Sequence, residues 1–376
     1  MKKARLKHSW RKPLVGIGTG MMLAGTAGAQ SSVTLYGIVD SGVTYTNNQQ
    51  GHSAWQATAG NESGPRWGML GTEDLGGGLK ANFRLENGFN LENGMLGQGG
   101  RMFGRQAWVG MSKDLFGALT LGRQYNTVQD ILGTMQVSNI LVQYSTHPFD
   151  NDDINNTFRT NNAVKYVSPT IAGLQANLMY GFSNSTSFAS NNSWSAGMTY
   201  TRGPLNLGAA YARMNQPASS AAGAVASDNY YAPSATVFGT RLVDATRQQI
   251  WGAGGTYAIG PATLGLLYTA SDFNMAAGGA LRFGNYEGSL RYWITPALTA
   301  AAAYTYTQVS QGETNGHYNQ ASAGVQYLLS KRTAVYLNGL YQKASSRIGH
   351  AWIDGIAAPS STTSQLAFVA GLRQKF

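Results

Sequence analysis

Apolar and polar residues alternate along this chain in segments of roughly ten residues, the span of a tilted strand across a bilayer. In Lys80–Glu86, Ala81, Phe83 and Leu85 fall on one face of an extended strand, and Lys80, Asn82, Arg84 and Glu86 on the other. In Val33–Tyr45, Val33, Leu35, Val39 and Val43 oppose Thr34, Tyr36, Asp40 and Thr44. Beyond Gln30 no run approaches the ~18 apolar residues of a membrane helix. Such a chain either stays soluble or crosses a membrane as strands, because only helices and closed barrels satisfy every backbone polar group in lipid. Charges at a period of two cannot face lipid, so they must face water inside a barrel.

Sixteen strand-like segments follow one another from residue 32 to residue 376, an even count that returns both ends to one side. Their connections alternate in length. Short ones carry turn residues: Glu73–Gly78, Lys113–Gly117, Ser168–Gly173, Arg202–Pro204, Gly260-Pro261, Thr295-Pro296 and Leu329–Arg332. Long ones, near 47–63, 92–100, 126–158, 183–192, 216–245, 272–280, 310–317 and 344–362, are polar and rich in Gly, Ser, Asn and Ala. A soluble β-sandwich, the alternative, has no reason to show that asymmetry. The last segment places Leu366, Phe368, Ala370, Leu372 and Phe376 on one face and Arg373 and Lys375 on the other.

Residues 1–29 stand apart. Six basic residues precede the weakly apolar run Leu14–Ala24, and Ala27-Gly28-Ala29 has the form of a cleavage site, which together read as a secretory signal peptide. The strand domain is then 30–376. Removing the signal takes six of 27 Lys and Arg and none of 17 Asp and Glu, leaving 21 against 17, a net charge of +4. The pI of 9.6 therefore exaggerates the basicity of the working chain, and nucleic-acid binding loses its support. Without a cysteine, the fold is not closed by disulfides.

The stretch 126–158 lacks clean alternation, and loops of that length in a compact domain are functional more often than not. It ends in Asp150, Asp152 and Asp153, with Asp130 near its start, and Arg159 follows at once. Arg66, Arg84, Arg105 and Arg123 lie in or beside the preceding strands. The pattern predicts a loop folded into the lumen, its acids (Asp130, Asp150, Asp152, Asp153) set against an arginine wall of Arg66, Arg84, Arg105, Arg123 and Arg159. Catalysis has little to work with. The histidines of the working chain, His52, His147, His317 and His350, all fall in predicted loops, and no spacing suggests a zinc site. A hydrolytic pair of His147 and Asp150, as in a barrel protease or lipase, is the enzyme alternative. No cofactor or metal is required. Trp67, Trp108, Trp194, Trp251, Trp293 and Tyr292 suit either an interfacial girdle or a subunit contact.

Seven stretches resemble the trimeric porins of Gram-negative outer membranes, most closely the beta-proteobacterial branch. They are SSVTLYGIVD (31–40), RWGMLGTEDLGGGLKANF (66–83), FGRQAWVG (103–110), LGRQY (121–125), NNAVKY (161–166), LLSKRTAVY (328–336) and the terminus 371–376. The resemblance implies a 16-stranded antiparallel transmembrane β-barrel, an inward third loop, and a homotrimer in which Glu92–Gly100 reaches over a neighbour. It implies passive diffusion of small hydrophilic solutes and ions, moderately selective for anions, with a substrate-specific channel as the alternative. Its wall arginines match Arg66, Arg105 and Arg159. Outer-membrane lipids, lipopolysaccharide and an assembly machinery that reads Phe376 are the implied partners. The third loop reads His147-Pro148-Phe149-Asp150 where enteric porins have Pro-Glu-Phe-Gly, so the acid that opposes the arginines stays open.

Overall fold

The computed structural model describes residues 31–137 and 141–376; the segment read as a signal peptide lies outside the described residues. The first strands are β1 (Ser32–Gln49), β2 (His52–Ala59), β3 (Arg66–Gly76), β4 (Leu79–Gly88), β5 (Gln106–Lys113) and β6 (Gly117–Gln124). A short helix, α1 (Thr127–Ile131), opens the long loop before β7 (Thr160–Val167), β8 (Leu174–Gly181), β9 (Ser193–Arg202) and β10 (Leu205–Asn215). A two-residue hairpin, β11 (Thr236–Val237) with β12 (Thr240–Arg241), decorates the next loop. The rest are β13 (Ala245–Ile259), β14 (Ala262–Met275), β15 (Ala280–Trp293), β16 (Leu298–Gln311), β17 (Thr314–Leu328), β18 (Thr333–Ala344) and β19 (Ser364–Lys375).

Apart from the β11–β12 hairpin, all strands belong to one antiparallel sheet that closes where β19 meets β1, from Ile38↔Lys375 to Thr46↔Ala367. The other edge of β1 is shared: Ser32–Ile38 pair with β3, and Ser41–Thr46 with β2. β2 and β3 are thus two pieces of one barrel strand, and the seventeen pieces make a sixteen-stranded barrel. The interruption, residues 60–65, is held by Asp40. Its Oδ2 accepts the amides of Glu62 (2.8 Å) and Ser63 (2.7 Å), and Tyr336 donates to its Oδ1 (2.5 Å). This excursion carries Glu62 into the lumen.

Burial is inverted relative to a soluble domain, as a lipid-facing barrel requires. Val33, Leu35 and Leu266 are more than 60% exposed on the outside, whereas Asp40, Thr269, Ser271 and Asn285 are fully buried inside. Tyr257, Tyr292, Tyr327 and Phe376 stand outward along the rim where the short turns lie, an aromatic girdle.

Three predicted long loops are corrected. The first is the tight turn Gln50-Gly51, and 276–279 and 312–313 are the only residues left between β14 and β15 and between β16 and β17. Their polar composition belongs to strands that continue upward, where the inner faces of Phe273, Leu281, Phe283, Val309 and Tyr318 pack into the main core. Polarity near these turns marks strand exposed to water rather than loop. The connections 89–105, 125–159, 182–192, 216–244 and 345–363 remain long.

Residues 125–159 do fold inward. Asn126 caps α1, its Oδ1 accepting the amide of Gln129 at 3.0 Å. Val128, Ile131, Leu132 and Met135 then pack on a wall of small residues from β9, β10 and β13. A Cβ at Gly208 would lie 2.6 Å from both Ile131 Cγ2 and Met135 Cε, so this close approach needs glycine. Farther on, Leu141 meets Ala301, and Val142 and Tyr144 join Tyr336, Leu340, Ile353 and Val369 across the lumen.

Candidate pore constriction

The loop leaves open the wall formed by β3, β4 and the entries to β5 and β7, where the arginines collect. Glu86, on the inward face of β4, is fully buried and accepts from two guanidiniums: Arg105 Nε at 2.8 Å and Arg84 Nη2 at 2.8 Å. Tyr36 Oη donates to Glu86 (2.8 Å) and accepts from Arg84 Nε (2.7 Å). Arg105 Nη2 donates to Tyr125 Oη at 2.8 Å, and the Arg159 guanidinium lies 5.2 Å from the centre of the Tyr125 ring. Arg159 also donates to the carbonyl of Asn156 at 2.8 Å. Arg66, at the start of β3, sits within electrostatic reach of Arg105, Glu86 and Arg159, and its Nε has no hydrogen-bond partner among the described residues. Three guanidiniums, those of Arg66, Arg84 and Arg105, therefore act on the one carboxylate of Glu86, and a fourth, Arg159, stands beside them over Tyr125. Arg105 and Arg159 line a cavity of about 300 Å³ together with Gln98, Gln143, Asn155 and Asn156.

Strand parity alone would point Arg105 outward beside Val109 and Met111, which are outward and exposed. Arg105 precedes the first ladder residue of β5, and there the chain turns its side chain into the lumen. Arg123 is placed differently from the other arginines. It donates to the Gly104 carbonyl (2.8 Å) and to the side chains of Asn161 and Asn229, tying two loops to the start of β7.

The loop acids hold the loop. Asp150 accepts the amides of Asn155 (2.8 Å) and Thr157 (2.9 Å) and the Thr157 hydroxyl (2.8 Å). Asp153 accepts the Phe158 amide (2.9 Å) and Asn126 Nδ2 (2.6 Å). Asp152 pairs with His147 Nδ1 (2.7 Å) and accepts from Thr269, while Asp130 pairs with Lys165. Burial drives the carboxyls of Asp150 and Asp153 well above the usual range, and neighbouring acids add to the effect. His147 lies in a loop, as its sequence position suggests, but does not pair with Asp150. It is fully buried between Asp152 and Glu287, whose Oε2 lies 3.3 Å from Nε2. Burial alone would lower its pKa, but the flanking carboxylates raise it to about 10. His317 lies within β17 and His52 begins β2, so neither is a loop residue.

A Gram-negative porin family model matches residues 18–346. The chain belongs to the Gram-negative porin family. An outer membrane porin protein of Bordetella pertussis is 31% identical over 85% of this chain and 91% of its own length. Outer membrane porin protein 32 of Delftia acidovorans is 28% identical over 97% of this chain and all of its own. Among solved structures, an anion-selective porin from Comamonas acidovorans superposes with a TM-score of 0.74 at 25% identity, over 92% of this chain and all of that one. This porin is therefore an outer-membrane channel, not an enzyme.

Glu86 and Tyr125, which organise the porin's arginine cluster, were not among the candidate residues. Their signals were present: Glu86 shares the inward face of Arg84, and Tyr125 ends the LGRQY stretch. Glu287, which grips His147 from β15, carried no such signal.

Proposed function

We propose that this porin passes small hydrophilic solutes with a moderate preference for anions. The observation that carries the reading is a wall of four guanidiniums with one carboxylate among them: Arg66, Arg84 and Arg105 act on Glu86, and Arg159 adjoins them over Tyr125. The loop acids give little opposing field, because Asp150 and Asp153 are buried with raised pKa values and Asp130 is paired with Lys165. A unit charge ~7 Å from a permeating ion contributes about 0.6 kcal/mol in water-like surroundings. Three uncompensated charges would favour an anion by about 1.8 kcal/mol, on the order of twentyfold, before a Debye length of ~10 Å at 0.1 M salt removes much of it. The description of the Comamonas neighbour as anion-selective supports the same reading. Reversal potentials in a potassium chloride gradient test it. An anion preference strongest in dilute salt is expected, and Arg66→Gln or Arg159→Gln should each reduce it two- to threefold. A wild-type channel selective for cations at low salt sinks the proposal.

Residues 1–29 serve as a cleaved signal peptide in this reading. The porin assembles as a homotrimer among outer-membrane lipids and lipopolysaccharide, after an assembly machinery has read Phe376. The second loop supports the trimer. Arg101 ties its base to Asp228 of the same chain at 2.8 Å, while Leu91, Met95 and Leu96 at its tip stay exposed and available to a neighbour.

A further inference from the structure

Below the loop, on the short-turn side of the lumen, lies a second basic cavity of about 210 Å³. Arg291 comes to it from β15, Arg373 and Lys375 from β19, and Glu62 from the interruption between β2 and β3. Glu62 is fully engaged, pairing with Arg373 Nη1 at 2.7 Å and accepting Gln326 Nε2 on both oxygens (2.8 and 2.7 Å). Arg291 has no carboxylate partner among the described residues, and its guanidinium lies 6.0 Å from the centre of the Trp293 ring. Lys375 is within electrostatic reach of Arg373, Glu62 and Arg66. Among the lining residues three cations face one carboxylate; behind them Asp40 lies within electrostatic reach of Arg373, and Arg66 within reach of Lys375, so the balance stays positive.

Its lining residues also carry unused donors. Four of their polar atoms, each shielded from solvent, find no hydrogen-bond partner among the described residues: Arg291 Nε, Arg373 Nε, Asn338 Nδ2 and Thr299 Oγ1. Asn338 and Thr299 are more than nine-tenths buried. Three of the four atoms can only donate, and the fourth can donate. A net positive cavity lined by donor-bearing side chains favours an acceptor-rich anion.

We propose that this cavity is a second anion site, in series with the arginine cluster and on the periplasmic side of the loop, that takes a small doubly charged oxyanion. It rests on the anion-preferring reading above and adds to it a preference for two charges and a side of entry. A tetrahedral inorganic dianion and a short dicarboxylate share this chemistry, and sulfate and succinate are the probes that separate them.

The mature porin in planar bilayers, carrying potassium chloride current, provides the test. Sulfate added on the periplasmic side should block at lower concentration than sulfate added outside. Arg291→Gln should raise the half-blocking concentration about tenfold, the effect of one unit charge on a dianion ~6 Å away in water-like surroundings. Arg291→Lys should recover most of the loss. Arg159→Gln should reduce chloride preference while leaving periplasmic-side block within about twofold. Block by succinate but not sulfate, with the same dependence on Arg291, identifies the dicarboxylate as the ligand. Periplasmic-side block that is unchanged in both Arg291→Gln and Arg373→Gln, or abolished by Arg159→Gln alone, overturns the proposal. A wild-type channel that prefers potassium yet shows Arg291-dependent sulfate block would sink the selectivity reading and keep this site.

Discussion

At the scale of single residues, similar side chains do different jobs according to what surrounds them. Asp150 and Asp153 follow one another closely in a lumenal loop, yet both turn their oxygens onto loop amides. Asp150→Asn replaces one acceptor with a donor that faces N–H groups, at a cost of about 1–3 kcal/mol. Current noise from a looser loop should rise, while the reversal potential moves by less than for Arg66→Gln; an equal shift toward anions would show that Asp150 is charged and faces the path. His147 is the converse case, since its folded pKa of about 10 exceeds the ordinary 6.5. Its contribution to loop stability, of order a few kcal/mol, is full below pH 6.5 and disappears as pH rises through 10. Single-channel records from pH 6 to 11 should stay quiet to about pH 9 and become noisy above it, and His147→Gln should be noisy throughout. Quiet channels in that variant would mean that Asp152 and Glu287 hold the loop without the imidazolium.

At the scale of elements, closure depends on how β19 meets β1. The Phe376 amide and carbonyl exchange hydrogen bonds of 3.0 Å with Gly37, and its ring covers that residue so closely that a Cβ there would lie 2.1 Å from Cζ. The last aromatic thus fills the space that a glycine leaves on the outer face of the seam. Phe376→Ser removes this cover, and at about 25 cal/mol per Å² the lost apolar burial amounts to roughly 1–2 kcal/mol. The yield of folded barrel in the outer membrane should fall while export to the periplasm continues. Unchanged assembly would leave the ring without a role at the seam. The loop–wall contact has the same form, with Gly208 admitting Ile131 and Met135.

For the whole molecule, the inverted burial pattern explains why a chain with only 12% charged residues needs no soluble core. The lumen is filled from one side by the loops and remains polar on the other. A trimer would cover apolar outer surface that lipid otherwise covers. The unheated protein in mild detergent should migrate as a heat-sensitive trimer, and deleting Gly94–Gly99 should lower its dissociation temperature without unfolding the monomeric barrel. A protein that runs only as a monomer before heating removes the trimer from this account.

The sequence by itself determined the barrel, its strand count and the faces of most strands, because period-two alternation is a local property that lipid outside and water inside enforce at every segment. The strand ends were less legible. Polar residues at 310–317 and 272–280 continue as strands, since beyond the lipid a strand no longer needs an apolar outer face. Only the lower piece of the second strand is legible, since 52–59 reads as part of a long loop; the strand is two pieces because Asp40 captures the amides of Glu62 and Ser63 between them. Only the tertiary structure decided where the charges go. The side chains of Arg105 and Arg123 differ in destination through a bend before β5 and a carbonyl at Gly104. Likewise, Asp150 and Asp153 bond loop amides, Asp152 bonds His147 and Thr269, and Asp130 pairs with Lys165, rather than with the arginines. Charge–charge and hydrogen-bond partners in a lumen come from strands far apart in sequence, and no local pattern records which of them will meet.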